Sequence, residues 1–166
     1  MKIDDDHLYH GSALIQIAED PHFTAINSLQ LPAGVCRSAY RINDNIGVYL
    51  KYASKPTPSH REYVFTFHAE HIKELEHIAK ATTTAFLALV CVKAREVCCL
   101  PYAEFLSLVD MRRTAKGASE DQYVVLVTVP AKSKFRVYVN SPGRKNTMVG
   151  KPLLIARSAF PTRIFA

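Results

Sequence analysis

The order and periodicity of the apolar residues predict an α/β fold in which a mixed β-sheet is flanked by helices. Three observations carry that prediction. Residues Ala39 to Ala53 form two alternating apolar runs around Asn43-Asp44-Asn45, the pattern of a β-hairpin. Residues Ala85 to Val92 are continuously apolar, as in a strand covered on both faces. Between them Ile72, Leu75, Ile78 and Ala79 recur at helical spacing over Glu70 to Ala81, a crossover helix that lets the buried strand join the hairpin in parallel.

In chain order, a helix starts near His7, where Leu14, Ile17 and Ala18 share one face, and Pro21 ends it. Phe23, Ile26, Leu29 and Leu31 are spaced for a second short helix, followed by a turn at Pro32-Ala33-Gly34. The hairpin spans about Val35 to Ala53. In its second arm Ile46, Val48 and Leu50 point to the expected core, and Tyr49 and Lys51 point away from it. Pro56, Pro58 and Ser59 mark a loop, and the alternation Tyr63 to Phe67 a third strand. After the buried strand, Lys93 to Arg95 turn the chain into a short strand over Glu96 to Tyr102. Phe105 to Val109 supply one or two helical turns, and the polar Arg112 to Asp121, with Gly117 and Ser119, reads as a loop. Tyr123 to Val129 and Phe135 to Val139 form a further hairpin. Ser141 to Arg144 is a turn, and Leu153 to Ala156 a last strand.

At 166 residues, 48% hydrophobic and 22% charged, the chain has the length and composition of a single globular domain over residues 1–166. Its apolar runs are too short to cross a bilayer, and Met1 to Asp6 lacks the order of a secretion signal, so a cytoplasmic location and no membrane partner are expected. Cys36, Cys91, Cys98 and Cys99 lie in apolar segments and read as reduced core residues.

The formal charge of +6 is unevenly placed. From Gln122 onward there is no Asp or Glu, while Lys132, Lys134, Arg136, Arg144, Lys145, Lys151, Arg157 and Arg163 concentrate positive charge. Such a field favours polyanions, DNA or RNA first among them. Arg136 and Tyr138 share strand parity and are expected on an exposed basic and aromatic face. Lys51, Lys134, Arg136, Tyr138, Arg144 and Lys145 are the candidate nucleic-acid-binding residues, acting through phosphates.

Other chemistry is poorly represented. His68 and His71 with Glu74 have spacings a metal site could use, but no Cys or Asp completes the set, and they read as the polar side of a surface helix. No phosphate-binding glycine loop or nucleophile elbow occurs, and no cofactor is expected.

The order helix, three strands, helix, strand, with Lys51 in a central strand, resembles the PD-(D/E)XK superfamily over about Leu8 to Tyr102. The resemblance implies a restriction-endonuclease-like core with extra C-terminal strands. It also implies a centre in which Lys51 matches the family lysine, Asp44 stands for the aspartate and Glu19 for the acid of the first helix, with Mg2+ as the metal. Tyr49 occupies the position two before Lys51 where that family has an acidic ligand. The leading expectation is therefore a degenerate nuclease-like protein that binds nucleic acid or another polyanion. The alternatives are a metal-dependent nuclease with a displaced acid such as Glu62, and an interaction protein, homo-oligomeric or partnered through its apolar strands.

Overall fold

A computed structural model describes all 166 residues. Helix α1 (Asp5–Glu19) is followed by strands β1 (Ile26–Leu31), β2 (Gly34–Ile42), β3 (Ile46–Ala53) and β4 (Tyr63–His68). Helix α2 (Ala69–Ala81), strands β5 (Thr84–Cys91) and β6 (Glu96–Pro101) and helix α3 (Tyr102–Lys116) come next. Strands β7 (Gln122–Thr128), β8 (Phe135–Tyr138) and β9 (Leu153–Ile155) and a 3-10 turn (Thr162–Phe165) complete the chain.

The strands form two sheets, not one. The first is mixed and five-stranded, in the order β1-β2-β3-β5-β6. Its only parallel pair is β3 with β5, joined by the crossover through α2 as the apolar pattern requires. The second is antiparallel, in the order β4-β7-β8-β9, so the extra C-terminal strands build a sheet of their own and recruit β4 into it. The strand expected third beside the hairpin thus leaves the main sheet. Its inward residues Tyr63, Phe65 and Phe67 are all buried and find a larger apolar surface opposite the first sheet than they would at its edge.

Two apolar cores separate three layers. On one side of the first sheet, Ala13 and Ile17 of α1 and Ile164 of the final turn pack on Val48, Leu50, Ala88 and Val90. On the other, Tyr49, Leu87 and Leu89 meet α2, α3 and the inner face of the second sheet, including Phe65, Val125 and Phe135, in the larger core. Both faces of β3 are therefore covered. Tyr49, expected off the core, is 2% exposed within the larger one. Gly47 belongs to the same face: a Cβ there would stand 2.6 Å from Ile78 Cγ2 and 2.9 Å from Thr82 Oγ1, so its bare backbone lets α2 lie against β3.

Two further expectations are corrected. Residues 22–31 are not a helix. The threefold spacing of Phe23, Ile26 and Leu29 imitates one, but Pro32-Ala33 forms a tight turn and Gly34 takes φ +122°, so β1 folds back on β2 and buries Leu29. Helix α3 also runs to Lys116, into the expected polar loop. Its polar end stays helical because Arg112 and Arg113 reach Glu120 and the Tyr123 hydroxyl, and Gly117 closes it in the left-handed conformation at φ +79°. All four cysteines are free and buried, and burial pushes the thiols up, Cys36 to about 11 and Cys91 and Cys99 to about 12. No helix is long and apolar enough to cross a membrane.

Candidate polyanion-binding face and the Lys51 cluster

The second sheet packs one face against the larger core; on its other face Leu126 and Tyr138 are buried and Arg136 is half-buried, while Leu154 and the preceding Lys134 are exposed. Alternation along β8 turns Phe135 and Val137 into the core and leaves Lys134 and Arg136 on the outer side. Six of the eight cations that follow Gln122 have no carboxylate partner: Lys132, Lys134, Arg136, Arg144, Lys145 and Lys151. The other two are held structurally. Arg157 Nε donates to Glu96 Oε1 at 2.7 Å, a second guanidinium nitrogen bonds Oε2, and Nη1 caps the Pro130 and Ser133 carbonyls. Arg163 lies 3.6 Å from Glu104.

The free cations are ordered along the strand. Lys132 and Lys134 stand just before β8, Arg136 lies on it, and Arg144 and Lys145 follow the isolated bridge of Asn140 just beyond its end. At about 3.3 Å per residue, Lys134 to Asn140 spans roughly 20 Å. At the far end a cleft of about 430 Å3 has Val124 and Leu126 of β7 as floor, with Arg112, Asn140, Arg144 and Lys145 around it. Its one acid, Glu120, is paired at 2.6 Å with Arg112, which holds the Glu120 carboxyl below its ordinary pKa. The Asn140 Oδ1 atom is buried there without a hydrogen-bond partner.

Tyr138 does not join this exposed surface. It is 4% exposed and donates its hydroxyl to Glu62, itself 4% exposed, and burial foremost pushes its pKa up. The face is thus basic without an aromatic platform, and Glu62 is committed to that bond. Parity alone could not show this, because the cover comes from the distant residue that precedes β4.

Lys51 lies elsewhere. On the β1 side of β2 the register shifts by three residues at Arg37–Ala39, and on the β3 side pairing stops at Ala39 with Tyr49. Lys51 to Ala53 therefore have no partner strand on that side, and the chain opens beside them. Half-buried, Lys51 extends over the Phe67 ring, its Nζ 5.0 Å from the centroid, with no hydrogen bond or ion pair. Burial lowers its pKa, against which the Glu74 carboxylate acts in part. Glu74, on α2, accepts from the Tyr49 hydroxyl and the Cys36 thiol, each at 3.3 Å. His71 stands near enough for Lys51 to add to the effect of burial in lowering its pKa. Glu74 was reachable from sequence only as part of the His68-His71 pattern, and its actual partners come from other strands.

The three residues of the nuclease-like centre are not brought together. Asp44 is exposed in the β2–β3 turn, where its carbonyl accepts from Arg41 at 3.2 Å. Lys51 lies seven steps further along the chain, about 23 Å at ~3.3 Å each. Glu19 is exposed at the C-terminal end of α1, which lies at the turn end of β3: the Asn43 side chain there binds the His22 carbonyl and the Thr24 amide just beyond the helix. No three His, Cys, Asp or Glu side chains converge to hold a metal ion anywhere in the chain, and His71 Nδ1 instead accepts the His68 amide at 3.0 Å. Comparisons with protein-family models, curated proteins and solved structures find no match to this chain.

Proposed function

We propose that the protein binds a polyanion, nucleic acid foremost, along the outer face of its second sheet, and that Lys134, Arg136, Arg144 and Lys145 make the phosphate contacts. The observation that carries this reading is the row of unpaired cations before, on and after β8, in a chain that pairs its other C-terminal cations. Charges left without carboxylate partners keep their field for an incoming anion, and a row of roughly 20 Å covers about six steps of duplex at ~3.4 Å each. With Tyr138 buried, and Tyr123 in the cleft beside Arg144 and Lys145 buried too with its hydroxyl already bonded, the contacts are to backbone phosphates and carry little sequence preference.

The nuclease-like resemblance supports the same reading in its degenerate form. The order helix α1, strands β1 to β3, helix α2 and strand β5 supports the resemblance in a different alignment, with β1 taking the place expected for Tyr63 to Phe67, which lie in the other sheet. Lys51 stands on β3, but Tyr49 takes the neighbouring ligand position and bonds Glu74. Binding without cleavage is the function proposed.

Fluorescence anisotropy with single- and double-stranded DNA and RNA, at two salt concentrations with chelator present, tests it. Saturable binding that weakens with salt is expected. The triple variant Lys134→Ala, Arg144→Ala, Lys145→Ala should lower the slope of log affinity against log salt by about 2 to 3, close to one for each phosphate no longer neutralised. No binding at low salt would overturn the reading. Loss of the labelled substrate when Mg2+ replaces the chelator, abolished by Lys51→Ala, would replace it with the nuclease.

A further inference from the structure

On the opposite side of the molecule, a second cleft of about 240 Å3 lies between α1 and the β1–β2 hairpin. Its walls carry His10 and Asp6 from α1 and Arg37 and Tyr40 from β2, with Leu14 and Val35 as apolar surface. The β2 bulge that frees Lys51 also brings Arg37 to this cleft. Gly11 faces open space, so nothing fills the volume above the second turn of the helix.

His10 is the anomaly. It is 7% exposed, packs its ring 5.6 Å from that of Tyr52, and its Nε2 is buried without any hydrogen-bond partner. A buried polar atom left unpaired costs about 1–3 kcal/mol unless something else supplies the partner. Burial pushes the His10 pKa down, so at neutral pH the ring is an uncharged donor or acceptor, not a cation.

The charged groups at the cleft are of both signs. Arg37 is largely exposed and touches only Asp4, at 3.5 Å through one nitrogen, so most of its fork of donors is free. Asp6 has no hydrogen bond or ion pair through its carboxylate and lies on the same wall as His10, one helical turn before it. A simple anion would meet the carboxylates of Asp6 and Asp4, and a simple cation would meet Arg37. A molecule bearing both charges satisfies all of them.

We propose that this cleft binds a small zwitterion with an apolar body, of the α-amino-acid class: its carboxylate on Arg37 and, once the His10 ring turns to uncover it, on the Nε2–H; its ammonium on Asp6; and its side chain against Leu14 and Val35. The site is independent of the polyanion face, which lies on the other sheet.

The test is a titration of the full chain with L-leucine, followed by the NMR signals of the His10 ring. The two half-ligands, 4-methylpentanoate and 3-methylbutylamine, are run beside it. L-leucine should shift His10 saturably and bind at least roughly tenfold more tightly than either half-ligand. Asp6→Asn and Arg37→Ala, both at the surface, should each weaken it by a similar factor, with nucleic-acid binding unchanged. An unresponsive His10 ring at millimolar L-leucine would overturn the proposal, as would 4-methylpentanoate binding as well as L-leucine. The half-ligand comparison uses the unaltered chain, so it decides the matter whatever the variants do to folding.

Discussion

The two sheets treat their cations in opposite ways. Lys51, in the first sheet, stands on a strand covered on both faces, reaches over Phe67 and has its charge disfavoured by burial. Arg136, half-buried on the outer side of the second sheet, and the exposed Lys134 just before β8 have no ion-pair partner. A strand position does not give a basic residue its role. The number of layers around the strand does: between layers a cation becomes a costly element of the core, and outside them it stays at the solvent boundary.

This contrast can be broken most forcefully at the seam between the sheets. Phe65→Ala empties a site 1% exposed in the larger core and should cost about 3–5 kcal/mol in urea or guanidinium unfolding. A loss below about 1 kcal/mol would mean that the second sheet does not rest on the first. Gly47→Ala should cost less, about 1–3 kcal/mol, because α2 must give way to a methyl group that would meet Ile78 at 2.6 Å.

Lys51→Met sharpens the comparison through pH. The folded pKa of Lys51 is lowered from 10.5, so between the two values the unfolded chain binds more protons and stability rises with pH. The penalty of the charge is therefore present at pH 7 and is relieved as pH climbs toward the unfolded value. Lys51→Met should be at least as stable as the parent at pH 7, and its advantage should shrink by pH 10, as read from unfolding midpoints. An advantage that grows with pH would show that Lys51 is stabilised as a cation. The smallest effect belongs to the outer face: Lys134→Ala, Arg144→Ala and Lys145→Ala should each change stability by less than about 0.5 kcal/mol while weakening polyanion binding.

The parts of the fold that depend on local pattern were legible in the sequence: the β2–β3 hairpin around Asn43 to Asn45, the parallel entry of β5 and the amphipathic face of α2. The parts set by tertiary choice were not. Tyr63 to Phe67 read as a strand, but nothing local says which sheet it joins, and that choice decides what faces Lys51. Threefold spacing misplaced β1 because Phe23, Ile26 and Leu29 recur by three, although it is Leu29 and Leu31, two apart, that face the core. Among the site residues, the acid-free C-terminal quarter pointed to Lys134, Arg136, Arg144 and Lys145 but could not tell them from Arg157 and Arg163, whose partners Glu96 and Glu104 come from earlier in the chain. Tyr138 was misjudged because Glu62, far away in sequence, covers it. Glu74 and the unpaired His10 Nε2 carried no motif and emerge only from three-dimensional placement.

The recruitment of β4 into the second sheet has a consequence for how the molecule comes into being. Tyr63 pairs with Val127 and Phe135 with Ile155, so the sheet joins an early strand to three late ones across the whole of α2, β5, β6 and α3. Contacts so distant along the chain form slowly, after the loop between them has been closed. During synthesis the first sheet can pair as soon as β6 has emerged, whereas β4 and its aromatic residues must wait for nearly the full chain. The basic face is then the last part of the protein to exist, assembled only when nearly the whole chain has left the ribosome.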